Sequence, residues 1–182
     1  IYYLAEENLD FARLDKQYKD KKQWLDGLPK LKTISQIFKE RGGYEIVGKI
    51  LGKDMVDWKY SAPFDDFEAQ SELGGYPIRN DELADKGICG KIEHRVVDPG
   101  KDNLGNDIVV AGEGTGIVHM APGCGDIDHK IGKSKDLINI APLDEEAKFM
   151  DSFGWLSGKS ATDPDTIDKI IADLKDRKFL VY

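Results

Sequence analysis

From Tyr44 onward, short apolar runs alternate with turn-forming residues, and this pattern restricts the possible folds more than any other feature of the chain. The runs are "YEIVGKIL", "DMVDWKYSAPF", "KIEHRVV", "IVVAG" and "GIVHMA", and the turn "DPGKDNLGND" separates the third run from the fourth. Runs of this length bounded by Gly, Pro, Asn and Asp are typical of β-strands. Several strands at such spacing predict a mainly β fold with flanking helices, in which the core is a closed or strongly bent β-barrel.

Helices are predicted on both sides of this β region. The charged stretch "LDFARLDKQYKDKKQWL" has a ragged apolar stripe, and "LKTISQIFKERGG" combines a capping box of Thr33 and Gln36 with a glycine pair that can end a helix. Near the other end, Asp163 is predicted to cap a helix with Pro164 in its first turn. The apolar face of this last helix is predicted to consist of Ile167, Ile170, Ile171 and Leu174.

The chain is predicted to form a single domain over residues 1–182. Its 182 residues are 40% hydrophobic, which is enough for one core. Within this domain, residues 1–43 form a charged, mostly helical portion, and residues 44–182 form the β-barrel core with the C-terminal helix. Because the first residues, "IYYL", and the last, "KFLVY", both have strand-like patterns, we interpret the chain as a piece of a larger protein.

Charge and composition exclude several classes of function. The formal net charge is -8, whereas a dedicated nucleic-acid binder needs clustered Lys and Arg, so any RNA contact is predicted to be local. The sequence contains neither a predicted membrane span nor a signal peptide, so a cytoplasmic location without membrane contact is expected. The two cysteines, Cys89 and Cys124, are interpreted as reduced thiols.

The segment from Gly114 to His129, "GTGIVHMAPGCGDIDH", concentrates backbone-specialised and titratable residues. Glycines on both sides of Thr115 allow either a tight bend at a hairpin corner or a close approach of the backbone to a ligand. His119 lies in a predicted strand and by itself is more typical of a structural position than of a catalyst. Asp128 lies at a predicted helix start, where capping is the simplest interpretation of a carboxylate.

Two other chemistries were considered for this segment. His119, Cys124, Asp128 and His129 are all possible metal ligands, but the chain contains neither a CxxC nor an HxxxH pair, and we predict no metal site. A nucleophilic pair of Cys124 and His119 is a further alternative, for which no third partner is evident.

The same segment closely resembles a signature of the editing domain that is inserted into class I isoleucyl-tRNA synthetases. In this signature Gly-Thr-Gly, Val-His, Ala-Pro-Gly and a later Gly-x-x-Asp recur. Further similarity lies in "GKDMVDWKYSAPF", "HRVVDPG", "APLDEEAKFMDSFGWLSG" and "DTIDKIIADLKDRKFLVY", with Ala147 where the family usually has glycine. The resemblance extends from about Tyr44 to the end of the chain and implies the β-barrel of the Val/Ile/Leu-tRNA synthetase editing domains.

The resemblance implies an aminoacyl-tRNA hydrolase within an isoleucine-tRNA ligase. Such a domain cleaves the ester of mischarged Val-tRNA(Ile) and excludes isoleucine by pocket size. By the family match, His119 walls the pocket and lies near the terminal ribose, and Asp128 holds the substrate's α-ammonium group. Further substrate contacts are implied for Gly114, Thr115, Gly116, Ala121 and Pro122.

The implied partners are the 3′ end of tRNA(Ile) carrying valine and the remainder of a synthetase chain. No cofactor is expected in this domain, since ATP and metal belong to the rest of such a synthetase. The family also has a threonine-rich run followed by Pro-Trp-Thr, upstream of the strand that "IYYLAEENL" resembles, and this run is not found in the sequence. The missing run leaves open a non-hydrolytic insertion that binds the tRNA 3′ end. An editing domain of a valyl- or leucyl-tRNA synthetase is a second alternative, because those enzymes carry related domains.

Overall fold

A computed structural model describes residues 1–10, 32–102, 104–110 and 115–180. The α-helices of these residues are α1 (Ile34–Glu40), α2 (Glu68–Ser71), α3 (Asp81–Asp85), α4 (Gly90–Glu93), α5 (Asp126–Ser134) and α6 (Pro164–Asp176). Short 3-10 helices are formed by Glu6–Asn8, Gly52–Met55 and Gly154–Leu156. None of the helices in these ranges is both long and apolar enough to cross a bilayer.

The predicted mainly β fold with a barrel core is wrong. The described ranges contain no β-strand, and their β-type pairings are isolated bridges. Residues 44–51 have no regular secondary structure and no backbone hydrogen bond to another described segment, and Ile46 and Val47 are 67% and 68% exposed. Alternating apolar residues favour an extended backbone, whereas a sheet also needs a partner in register to satisfy its N–H and C=O groups.

One pair of predicted strands does come together. Lys59 and Arg95 form an antiparallel bridge, and Val96 donates its N–H to the carbonyl of Trp58 at 2.9 Å. The pairing stays short because the predicted strands on both sides begin as helix, in Gly52–Met55 and in α4. The predicted turn at 98–107 is also present, as an antiparallel bridge between Lys101 and Asp107.

The described chain divides into two compact units. Unit 1 comprises Ile1–Leu51 and Asp98–His119, and unit 2 comprises Gly52–Val97 and Met120–Tyr182. In unit 1, Phe38 of α1 contacts the rings of Tyr2 and Tyr44, with centroid distances of 5.1 and 6.0 Å. The single domain over 1–182, with its division at residue 43, stays a prediction.

The hydrophobic core of unit 2 is centred on aromatic side chains. Phe67, Ala69, Phe153 and Leu156 are buried, and the rings of Phe67 and Phe153 meet edge to face at 6.3 Å. Burying such a side chain contributes about 1.5–3 kcal/mol to stability. Partly buried side chains that pack against this core are Phe64, Tyr76, Ile140, Phe149, Met150 and Ile170.

Two predicted helix starts are confirmed. Thr33 accepts the N–H of Gln36 at 3.1 Å, and the Gln36 side chain accepts the N–H of Thr33 at 2.9 Å, which is the predicted capping box. Asp163 caps α6, and Pro164 lies in its first turn. The charged helix predicted over residues 9–25 lies largely outside the described residues.

The buried face of α6 differs from the predicted one. Thr166 is only 1% exposed and Ile170 packs against the core, whereas Ile167 and Ile171 are 44% and 38% exposed. The buried positions are therefore four residues apart, as expected for one helix face. The apolar pattern of α6 is compatible with burial of either of two neighbouring helix faces. In the structure, the face that contains Thr166 packs against the aromatic core.

Candidate functional site

The start of α5 carries two aspartates with different environments. Gly125 is the N-cap residue and provides no side-chain cap. Asp126 is exposed and forms an ion pair with Lys130 at 2.7 Å. Asp128 is half-buried, and its Oδ2 accepts the backbone N–H of Ala121 at 3.0 Å. No ion pair to Asp128 is found among the described side chains, and the dipole of α5 favours a carboxylate in this first turn.

Gly123 allows the loop before α5 to lie directly on a neighbouring backbone. A Cβ added at Gly123 would lie 2.1 Å from the carbonyl oxygen of Ile140 and 2.8 Å from Cα of Ala141. On the other side of the loop, a Cβ at Gly132 of α5 would lie 2.8 Å from the ring of Pro122. The predicted site segment is therefore held between its own helix and the chain at 140–141.

Replacing Gly123 by Ala is expected to destabilise the protein by at least about 1–3 kcal/mol, because the added methyl group meets a backbone atom that cannot rotate away. Urea-induced unfolding measures this loss. Gly48→Ala is the matched control, since no atom lies within 4 Å of a Cβ at that position. Equal midpoints for the two variants would contradict the close approach seen at Gly123.

A cavity of about 330 Å³ lies at the start of α5. Its lining residues are Pro122, Gly123, Cys124, Gly125, Asp126, His129 and Asn139. Asp128 is not one of the lining residues, but its Oδ2 lies 3.5 Å from a Cβ built on Gly125, which is one of them. A larger cavity of about 380 Å³ surrounds Tyr76, Phe149 and Met150 and contains none of the predicted site residues.

Of the lining residues, only Pro122 was predicted as a substrate contact, and the polar side chains of His129 and Asn139 are among those that were not. The Nδ1 of His129 lies 3.2 Å from the carbonyl oxygen of Pro122, and because a carbonyl oxygen only accepts, this nitrogen donates the hydrogen. Asn139 follows α5 by five residues and shares no motif with it. The spacing of residues along α5 could have predicted that His129 lies near the loop before this helix. Nothing in the sequence indicates that Asn139 lies beside this loop.

Cys124 lies at the cavity as a neutral thiol. Both Cys89 and Cys124 are free, as expected. Partial burial of the thiol and, to a lesser degree, the negative charge of Asp128 raise the pKa of Cys124 above its ordinary value. Since the thiolate is the nucleophile, this environment opposes the alternative in which Cys124 attacks a substrate.

The rate of alkylation should show that Cys124 has a low thiolate fraction. We expect iodoacetamide to modify Cys124 more slowly than glutathione at neutral pH, because the raised pKa lowers the thiolate fraction. Mass spectrometry locates the modified residue, and Cys124→Ser, which leaves only the buried Cys89, provides the background. Modification of Cys124 faster than glutathione would contradict the raised pKa and restore the nucleophile hypothesis.

The described part of the glycine-threonine-glycine segment forms a bend in unit 1. Gly116 has φ +75°, and a Cβ there would lie 2.5 Å from Cβ of Ala5, while Ala5 donates its N–H to the carbonyl of Thr115 at 2.7 Å. The Thr115 hydroxyl donates to the carbonyl of Ile117 at 2.9 Å. The substrate contacts implied for Thr115 and Gly116 stay predictions, and Gly114 lies outside the described residues.

The two predicted catalytic residues belong to different units. His119 is exposed at the end of unit 1, and Asp128 belongs to unit 2. Their meeting at one pocket therefore stays a prediction. Within the described ranges, His, Cys, Asp and Glu side chains form no group of three or more that could hold a metal ion.

Comparison with known proteins gives relatives along nearly the whole chain. An isoleucine-tRNA ligase of Methanocaldococcus jannaschii is 30% identical over 178 residues, which is 95% of this chain and 15% of the relative. The isoleucine-tRNA ligase of Methanothermobacter thermautotrophicus is 38% identical over 111 residues, or 61% of this chain and 10% of the relative. That of Rickettsia prowazekii is 43% identical over 72 residues, or 40% of this chain and 6% of the relative.

These relatives are all aminoacyl-tRNA ligases. The chain is similar to one segment of the isoleucine-tRNA ligases, and the recognition made from the motifs is confirmed at this level. The chain spans 15% or less of the length of the three relatives named here. No family model matches the chain, and no solved structure gives a significant match.

Proposed function

We propose that this chain is an editing domain of an isoleucyl-tRNA synthetase that hydrolyses the ester of mischarged Val-tRNA(Ile). The observation that carries the proposal is Asp128, a half-buried carboxylate without a cationic partner among the described residues, beside a cavity at the start of α5. Such a carboxylate can bind an α-ammonium group through a charge-assisted hydrogen bond. The relationship to isoleucine-tRNA ligases supports the choice of isoleucine over valine or leucine as the cognate amino acid.

The proposed reaction is hydrolysis of an ester. Water attacks the carbonyl carbon of the valyl group, the bond to the ribose oxygen breaks, and the products are valine and the free terminal hydroxyl of the tRNA. The nucleophile is water activated by its position and by the neighbouring hydroxyl of the terminal ribose, without a protein triad. Asp128 anchors the amine, and His119 contacts the ribose and limits the pocket.

Pocket size provides the discrimination in this proposal. The one methylene that separates isoleucine from valine is worth only ~1–3 kcal/mol in an attractive site, which is the recognised reason why isoleucyl-tRNA synthetases edit. A pocket too small for isoleucine converts this weak preference into steric exclusion. Ala121 and Pro122 suit this role, because both are small or rigid and lie in the loop that is held by Asp128 and Gly132.

Partners and location follow from the proposed activity. The 3′ end of tRNA(Ile) is the substrate, and the rest of a synthetase provides most of the tRNA contacts. With a net charge of -8, the chain alone is expected to bind tRNA weakly. ATP and metal act elsewhere in such an enzyme, and its place of action is the cytoplasm.

A deacylation assay tests the proposal. Val-tRNA(Ile) and Ile-tRNA(Ile) are incubated with the chain alone and with a chimaera in which it replaces the corresponding segment of the Methanocaldococcus jannaschii ligase. Faster loss of valine than of isoleucine supports the editing function. If neither form hydrolyses either ester, the proposal fails, and tRNA binding without hydrolysis would favour the non-hydrolytic alternative.

A further inference from the structure

Arg95 connects the C-terminal end of α5 to a distant part of the chain in unit 2. Its Nη2 donates to the carbonyl oxygen of Lys135 at 3.0 Å, and its Nη1 donates to Oδ1 of Asp57 at 2.9 Å. Lys135 is the C-cap residue of α5, and no backbone N–H of the described residues donates to its carbonyl. The last carbonyls of a helix need partners from outside the helix. The guanidinium of Arg95 therefore caps this end of α5.

Backbone pairing and a carboxylate hold Arg95 in place. Arg95 itself forms the antiparallel bridge with Lys59, and Asp57 donates its N–H to the carbonyl of Val96 at 2.9 Å. Asp57 has φ +67°, a left-handed conformation that Asp adopts more readily than most residues. In this conformation its carboxylate lies against the guanidinium. The donor that caps α5 is thus fixed by hydrogen bonds on both sides.

The first turn of the same helix carries Asp128. The carboxylate of Asp128 accepts the N–H of Ala121 at 3.0 Å, and the ring of Pro122 packs closely on Gly132. These contacts join α5 to the loop that precedes it, and this loop moves with the helix. The bond from Arg95 joins α5 to a segment outside both, so it fixes the direction of the helix within unit 2.

The length of α5 makes the position of Asp128 sensitive to this direction. Asp128 precedes Lys135 by seven residues, which corresponds to about 10 Å along a helix axis. A tilt of the helix by about 6° moves a group at that distance by about 1 Å. Displacement of a substrate-positioning group by about 1 Å can reduce a rate by about 100-fold.

We propose that Arg95 is a positioning residue for the hydrolysis of the aminoacyl ester. By capping α5 at Lys135 it fixes the helix direction, and thereby the place of the Asp128 carboxylate that binds the substrate's ammonium group. This inference rests on the proposed function, and Arg95 acts through α5 without touching the substrate. Arginine suits this role because its planar guanidinium donates to two acceptors in fixed directions, whereas the ammonium of lysine is a compact point charge.

Two esters distinguish the placement of Asp128 from the general stability of the fold. One is Val-tRNA(Ile), and the other is tRNA(Ile) esterified with 3-methylbutanoate, which lacks only the amine. The ratio of their kcat/KM values, called here the amine preference, measures how well the ammonium group is held. It is determined for the 182-residue chain in the chimaera described above and compared between the wild type and its variants.

Two variants of Arg95 and one matched control are compared. Arg95→Gln removes the charge and is too short to reach both partners, and Arg95→Lys keeps the charge with a single donor group. Arg177→Gln is the control, because Arg177 is the C-cap residue of α6, donates to the carbonyl of Pro63 and pairs with Asp173 at 3.3 Å. Helix α6 carries none of the predicted site residues. Thermal unfolding compares the stability of the three variants.

We expect the amine preference to fall about tenfold in Arg95→Gln, because the displaced carboxylate no longer meets the ammonium group. Arg95→Lys should show a smaller fall, since one donor group cannot serve both acceptors in the same geometry. Arg177→Gln should keep the wild-type preference. An arginine that only stabilises the fold would lower the rates for both esters alike and leave their ratio unchanged.

A wild-type amine preference in Arg95→Gln would overturn this inference and leave the proposed function intact. An equal fall of the preference in Arg177→Gln would also overturn it, because the effect would then reflect general destabilisation. If Arg95→Gln is unfolded at the assay temperature, Arg95→Lys replaces it, and an unchanged preference there overturns the inference. If the wild type hydrolyses neither ester, or prefers the amine no more than Asp128→Asn does, the proposed ammonium site fails and this inference fails with it.

Discussion

Replacing Asp128 by Asn is expected to reduce hydrolysis of Val-tRNA(Ile) by about 100-fold or more, because the change removes the charge that pairs with the substrate's ammonium group. The side-chain oxygen of Asn can still accept the N–H of Ala121, which Asp128 binds at 3.0 Å. The variant therefore tests the charge and leaves the loop contact in place. The release of labelled valine measures the rate, and the loss should fall mainly on kcat/KM.

Asp126→Asn is the matched control for this experiment. Asp126 lies in the same first turn of α5 but is exposed and paired with Lys130 at 2.7 Å. Exposed pairs of this kind contribute little, so the rate should change by less than about threefold. Equal losses of rate in both variants would indicate that the electrostatic field at the start of α5, and not a specific contact of Asp128, is responsible. An unchanged rate in Asp128→Asn would contradict the ammonium site.

Local chemistry explains which parts of the fold could be predicted from the sequence. The capping box of Thr33 and Gln36 and the start of α6 at Asp163 and Pro164 were predicted correctly. Each depends on hydrogen bonds and backbone angles within about four residues, which the sequence displays directly. The start of α5 near Asp126 and Asp128 was predictable for the same reason.

The β-barrel prediction was wrong because a sheet requires pairing between strands that are distant in sequence. The segment at 44–51 has the alternation of a strand, yet it forms no regular secondary structure and is largely exposed. Pairing depends on which segments meet and in which register, and this information is not contained in the pattern of a single segment. Within the described ranges, the residues around Lys59 and Arg95 pair as the strand pattern suggested.

The candidate site also combines local features, which the sequence indicates, with non-local contacts, which it does not. The role of Asp128 at a helix start follows from nearby residues, but its bond to Ala121 depends on how the loop folds back. The contact of Gly123 with Ile140 joins residues far apart in sequence, and the same packing brings Asn139 to the cavity. Glycine in a loop indicates that a close approach is possible, without indicating which backbone approaches.

Replacing His119 by Ala is expected to raise hydrolysis of the cognate Ile-tRNA(Ile) by about 10- to 100-fold, while hydrolysis of Val-tRNA(Ile) changes less. Removing the imidazole frees more volume than the one methylene that distinguishes the two amino acids, so steric exclusion of isoleucine should be lost. Parallel deacylation assays with the two esters measure the change. A variant that still rejects isoleucine would contradict the role of His119 as the pocket wall.

His129→Ala is the informative comparison, because the chain has a second imidazole beside the site. His129 lines the cavity next to α5 and is tied to the carbonyl of Pro122 at 3.2 Å, whereas His119 is exposed in unit 1. The family resemblance assigns the wall to His119, and the lining of this cavity favours His129. If only His119→Ala admits isoleucine, the result supports the assignment of the pocket wall that the family resemblance implies. If only His129→Ala does so, unit 2 alone contains both the anchor for the amine and the group that limits the side chain.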